Sequence, residues 1–211
     1  MKKILYSIAI LSLLMTSCVN DAPDFNENKD RAYTVPAEAL LTNSEKALVD
    51  IMTSPSVNEW SLGKYFPQYW AAVTYTAESR YRVTSRKIPD RMWRILFADV
   101  IGNLESAKGV INTETAPTGV SDSQFQSEQK NKLAIIDIMQ VYTYQILVDM
   151  FGDVPYSESI QPAKFVLPKY DSGKSIYSAL ITRLNTDISA LNSAHGSFKT
   201  GEYIYNGDVA N

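Results

Sequence analysis

Between Gln68 and Tyr81 the chain reads Gln-Tyr-Trp-Ala-Ala-Val-Thr-Tyr-Thr-Ala-Glu-Ser-Arg-Tyr. Aromatic rings, hydroxyls, an amide, a carboxylate and a guanidinium all fall within this one short stretch. That combination suits a hydroxyl-rich ligand, because ring faces cover C–H surfaces while amide and charged groups bond hydroxyls. Trp70, Tyr75, Glu78, Arg80 and Tyr81 are therefore the candidate ligand contacts. The same residues also serve as packing, with Tyr69 and Trp70 in a core and Glu78 paired to Arg80. The residue types alone leave both readings open.

Other chemistries find less to work with. His195 is the single histidine and lies in a Ser-Ala-His-Gly-Ser loop, without a neighbouring nucleophile or second ligand. A Ser-His-Asp triad would have to use it, and a histidine-based metal site normally needs more than one. Gly152-Asp153 stands alone rather than within a glycine-rich phosphate loop. Glycoside hydrolysis needs two carboxylates facing one bond. Asp137 and Asp149, twelve residues apart on one helix, would be separated by about 18 Å of helical rise. The residues point to binding without catalysis, and no cofactor or metal is expected.

Cys18 is the only cysteine. Lys2 and Lys3 precede an apolar run from Ile4 to Met15, and Thr16-Ser17 place small residues directly before the thiol. This is the layout of a secretory signal peptide with a bacterial lipobox, in which the cysteine receives diacylglycerol and becomes the new N-terminus. The run is shorter than the roughly 20 residues a spanning helix requires. Cleavage of residues 1–17 removes two lysines and no acid, so the formal charge moves from -3 to -5. With no basic blocks on such a chain, nucleic acid is not an expected partner. Lipidation of Cys18 leaves no thiol for a disulfide, so an ordinary apolar core must hold the fold.

The elements that position these residues follow from periodicity. Residues 18–33 are polar and acidic and read as a tether. Pro36 opens a helix whose stripe is Leu40, Leu41, Ala47, Leu48, Ile51 and Met52, stopped at Ser54-Pro55. A helix is expected over about 62–77 within the aromatic stretch. Asp90 is expected to cap the next, with Trp93, Leu96, Val100, Leu104, Ala107 and Ile111 three or four apart. After the loop Asn112–Gln124 a long helix runs over about 125–151. From Leu133 to Phe151 it is apolar almost all round, with a narrow polar stripe at Asp137, Gln140, Gln145 and Asp149. Gly152 stops it and Asp153 bonds local backbone N–H groups. Asp171 or Ser172 caps the last helix, with Tyr177, Leu180, Leu184, Ile188 and Leu191 as its stripe. Tyr203 to Asp208 reads as a turn, and no convincing strand pair is visible. The fold class is all-α, built from antiparallel helical hairpins of the tetratricopeptide type.

Two blocks carry a resemblance. Gln68-Tyr69-Trp70 through Glu78-Ser79-Arg80-Tyr81 is one. The other is Asp149-Met150-Phe151-Gly152-Asp153-Val154-Pro155-Tyr156-Ser157-Glu158, followed by Pro168-Lys169-Tyr170-Asp171, Ile176-Tyr177 and Asn206-Gly207-Asp208. With the lipobox, they make the chain similar to the SusD/RagB family of nutrient-binding outer-membrane lipoproteins of Bacteroidetes. Family members are about twice as long, so residues 34–211 resemble an N-terminal portion. The resemblance implies a SusD-like helical scaffold, lipid-anchored at Cys18 and facing the cell exterior. It implies a partner, a SusC-like TonB-dependent transporter, and a cargo of oligosaccharide or peptide. Family ligand surfaces draw on the early aromatic segment and on the later half. Asn20, Asp21 and Asp24 resemble the export signal of surface lipoproteins. An alternative stays open, in which a helical repeat scaffold binds protein partners only, without a small ligand. A lipid-anchored hydrolase would rest on abundant carboxylates alone.

Overall fold

The first helix, α1 (Ala37–Thr53), starts where Pro36 offers its carbonyl to the amides of Ala39 and Leu40. Leu41, Leu48 and Ile51 are buried along one face, and the buried Ser44 hydroxyl donates to the Leu40 carbonyl at 2.8 Å. The computed structural model describes residues 34–53, 62–82, 84 and 87–210. The leader, Cys18, the tether, Ser54-Pro55 and Trp60 lie outside the described residues.

After the single turn α2 (Leu62–Tyr65) comes α3 (Ile88–Arg94), with Pro89 in its first turn. Asp90 does not cap it. The acid sits inside the first turn, where the helix dipole favours negative charge, and Lys87 occupies the cap position. The helix continues without a break through a wider π-helical stretch, Ile95–Gly102, into α4 (Asn103–Thr113). The Asn103 side-chain Nδ2 donates to the Asp99 carbonyl at 2.8 Å at the end of this stretch. The wider turn brings the Phe97 carbonyl oxygen close to Gly102, where a Cβ would stand only 3.3 Å from it, a tight contact that glycine avoids. Leu96, Val100, Leu104, Ala107 and Ile111 are all buried, as their spacing predicts.

α5 (Asp122–Phe151) is capped by the Ser121 hydroxyl, which accepts from the Gln124 amide, and ends at Gly152 with φ 76°. It is long and apolar enough to cross a membrane, yet most of its apolar surface is core, with α4 and α6 (Gly173–Ala190) against it. The Ser172 hydroxyl caps α6 by accepting from the Ser175 amide. α1 packs on α4 and the π-helical stretch, α4 on α5, and α5 on α6, giving the expected run of helical hairpins. The residues from Pro36 onward make one body.

Two details depart from expectation. A short antiparallel pair does form, β1 (Val154–Pro155) with β2 (Tyr170–Asp171), too brief to leave an alternating pattern in the sequence. On α6 the expected stripe is rotated: Ile176, Leu180 and Asp187 are buried, while Tyr177, Leu184 and Ile188 are exposed. The cause is polar. Arg183 turns inward to meet Asp137 of α5, and its neighbours one turn either side turn with it.

Candidate functional site

The aromatic segment is not the helix that its length suggests. Pro67 has no N–H to continue α2, and Gln68 takes a left-handed conformation, φ 61°. The chain wraps back on the turn instead, with the Gln68 amide donating to the Tyr65 carbonyl and the Trp70 amide to that of Lys64. Lys64 Nζ thereby lies 4.3 Å from the Trp70 ring centroid, within cation–π range. Further on, the Ala72 amide donates to Ser79 Oγ (2.8 Å), ahead of a 3₁₀ turn at Glu78–Arg80. Tyr81 closes the loop: its hydroxyl donates to the Phe66 carbonyl (3.0 Å), and the two rings stand 5.2 Å apart.

This stitching turns the aromatics outward. Trp70 is 57% exposed, Tyr75 75% and Tyr81 54%, and Tyr69 and Arg80 are exposed as well. Neither Tyr69 nor Trp70 is a core residue. Glu78 is fully buried, so its carboxylate faces the interior and does not share the surface with the other four candidates. Tyr75 and Tyr81 both hold positive φ, 58° and 60°. Non-glycine residues held there are strained by about 1 kcal/mol or more, and ligand clamps are a common place to find such strain.

A second polar cluster joins α4, α5 and α6. Asp137 accepts from Lys108, from Arg183 Nε (2.9 Å) and from an Arg183 terminal nitrogen (2.6 Å). Gln140 accepts from Lys108 (2.6 Å) and Arg183 (3.0 Å) and donates to Glu105 (3.1 Å). Burial works against the Asp137 charge, but the hydrogen bonds of Arg183 and Lys108 outweigh it and hold its carboxyl down at about 2. Asp187 lies opposite: burial, then the Asp137 charge, pushes its carboxyl up to about 7. Every cation here is already committed to Asp137 or Gln140, so the cluster ties helices together. Arg183 was not visible as a partner in the sequence. The signal for the cluster was Asp137 and Gln140 on a helix otherwise apolar.

Within the second of the blocks that carried the resemblance, the Gly-Asp-Val-Pro-Tyr and Pro-Lys-Tyr-Asp segments clasp one another. Asp153 accepts from the Gly173 amide (2.9 Å) at the start of α6, a bond to a distant segment and not to its own turn. Asp171 accepts in return from the amides of Tyr156 (3.3 Å) and Ser157 (2.7 Å). Glu158 accepts from the Lys169 amide at 3.0 Å. His195 lies in a loop held by the buried Asn131, whose amide reaches the carbonyls of Asn192, His195 and Gly196 at 3.0–3.1 Å. Among the described residues no three His, Cys, Asp or Glu side chains are placed to hold a metal ion. A cleft of about 690 Å³ lies away from the aromatic loop, between α1 and α3, lined by Lys46, Asp50, Arg91, Arg94 and Asp99 among others.

A family model for SusD-like proteins, described as starch-binding and associating with the outer membrane, matches residues 28–211. The chain belongs to the SusD-like family. Proteins of this family bind without catalysing, in keeping with the residue types found here. The fold is also similar to that of a solved structure titled a chitin-binding protein, with TM-score 0.59 and 23% identity. That likeness covers 82% of this chain and 35% of the other, so this SusD-like chain spans about a third of that structure's length. None of the curated proteins compared with the chain matches it.

Proposed function

We propose that this SusD-like chain captures oligosaccharides at the outer face of the outer membrane and hands them to a SusC-like TonB-dependent transporter. Residues 1–17 act as a lipoprotein signal, Cys18 carries the lipid, and residues 18–33 tether the helical domain of residues 34–211. Outward presentation of Trp70, Tyr75 and Tyr81 beside Arg80 is the observation that carries the reading. An ordered loop that keeps several rings in water has the makings of a stacking platform. The family description names starch and the similar fold is titled chitin-binding, which favours saccharide over peptide as cargo. Affinity electrophoresis against starch, chitin-derived and other glycans, beside a peptide panel, tests the class of ligand. Retardation by at least one glycan, with a transporter co-purifying from membranes, is expected. Silence across both panels with no transporter recovered would overturn the reading.

One observation favours the protein-only scaffold as a second reading. Tyr177, Ile181, Leu184 and Ile188 line an exposed face of α6 at helical spacing. A pull-down whose partner is insensitive to sugars and peptides, with no glycan bound, would select it.

A further inference from the structure

Two acids meet in the interior where the C-terminal loop lies on α1. Glu45 of α1 is 4% exposed and Glu202 of the loop 6%. Glu202 accepts from the amides of Ile204 (2.8 Å), Tyr205 (3.0 and 3.1 Å) and Gly207 (2.5 Å). That nest of N–H groups makes Glu202 an acceptor through both of its oxygens. Glu45 has a single donor, the Tyr203 amide on Oε2 at 3.0 Å, and its buried Oε1 has no hydrogen-bond donor. A carboxylate oxygen buried without a donor, beside a second carboxylate, is costly. A proton on Glu45 Oε1, donated to Glu202, removes both the bare oxygen and the repulsion.

We propose that Glu45 and Glu202 share one proton and form a latch, which holds residues 197–208 on α1 while the proton is present and releases them when it is lost. Among the described residues, the charged groups around this seat are engaged elsewhere or exposed. On α1, Lys46 is taken by Asp50, and Glu38 is met by Lys132 of α5, which also bonds Glu114. On the π-helical stretch Asp99 is held by Arg94, and Lys199 and Asp208 of the loop are exposed. Glu202 is the charge that bears on Glu45. Burial, reinforced by Glu202, raises the Glu45 carboxyl from 4.5 to about 7. The folded value lies above the unfolded one, so the latch is complete below 4.5 and weakens as pH rises through about 7. The rest of the seat is tight: Thr42 donates to the Gly201 carbonyl at 2.6 Å, and Ser197 to that of Gly207 at 2.6 Å. Tyr203, Ile204 and Tyr205, all exposed, ride on this loop, so the latch controls how they are presented.

The test is an NMR titration of the folded chain, following the Glu45 side-chain carboxyl carbon and the amides of Tyr203 and Gly207. One midpoint near 7, common to all three, is expected, with exchange protection across 201–207 falling about tenfold or more on the alkaline side. Glu45→Gln keeps a donor to Glu202 and no titration, so its loop should stay protected and its amides flat. Asp187→Asn, which removes the other raised carboxyl, should leave the transition in place. A Glu45 carbon titrating below 5, or the amide transition surviving in Glu45→Gln, would overturn the latch. The wild-type carbon titration decides the matter even if that variant fails to fold.

Discussion

Asp137 takes hydrogen bonds from two cations at once, while Asp187, one turn beyond Arg183 on α6, feels those cations only through space and has a buried Oδ2 with no donor. The two carboxyls therefore act on stability in opposite directions. Asp137, held at about 2, contributes stability that is present above its unfolded value of 3.8 and is lost as pH falls through about 2. Asp187, raised to about 7, contributes most below 3.8 and loses that contribution as pH rises through about 7. Urea unfolding across this range should give a stability maximum on the acid side of neutrality, and Asp187→Asn should flatten the alkaline limb. Asp137→Ala strands Lys108 and Arg183 and should cost about 3 kcal/mol at neutral pH. At this scale the sequence exposed Asp137 and Gln140 as polar residues on an apolar helix. It hid Arg183, Glu45 and Asn131, because each looks like an ordinary polar residue on an amphipathic helix until its partner arrives from a distant segment.

At the scale of elements, helices with a steady apolar period were legible and irregular connections were not. Pro36, Gly152 and Ser172 mark helix ends by their own local chemistry and could be placed from local residues, whereas α5 starts at Asp122, inside the stretch expected as loop. The stretch 62–77 failed as a helix because Pro67 and the left-handed Gln68 stop it after one turn. The rotation of α6 was hidden for a different reason: an ion pair across helices outweighed its apolar stripe. Two substitutions test these accounts. Gly152→Ala, at φ 76°, should destabilise by about 1–2 kcal/mol without altering any surface, as read by thermal unfolding. Ile181→Ser with Ile188→Ser should leave the unfolding free energy within about 0.5 kcal/mol. If that pair instead unfolds the chain, α6 packs by its stripe and the rotation is wrong.

For the whole molecule, the helical hairpins supply rigidity, and the loop 66–81 is the surface to which we assign recognition in the proposed function. The loop is closed on itself, through Lys64–Trp70 near its start and Tyr81–Phe66 between its ends, and leaves the rings in solvent. Family membership was legible because the Gly-Asp-Val-Pro-Tyr block and the Pro-Lys-Tyr-Asp block are bound to one another by Asp153 and Asp171, so both are fixed by the same structural demand. Which glycan the proposed platform would hold was not legible, since ring and hydroxyl contacts are common to many sugars. The claim that the exposed aromatics are a ligand platform is tested most directly by isothermal calorimetry with a glycan that retards the protein. Trp70→Ala should weaken binding by about 1–3 kcal/mol, roughly 5- to 150-fold, with the thermal midpoint unchanged. Unchanged affinity together with a lowered thermal midpoint would make Trp70 a structural residue and contradict the platform.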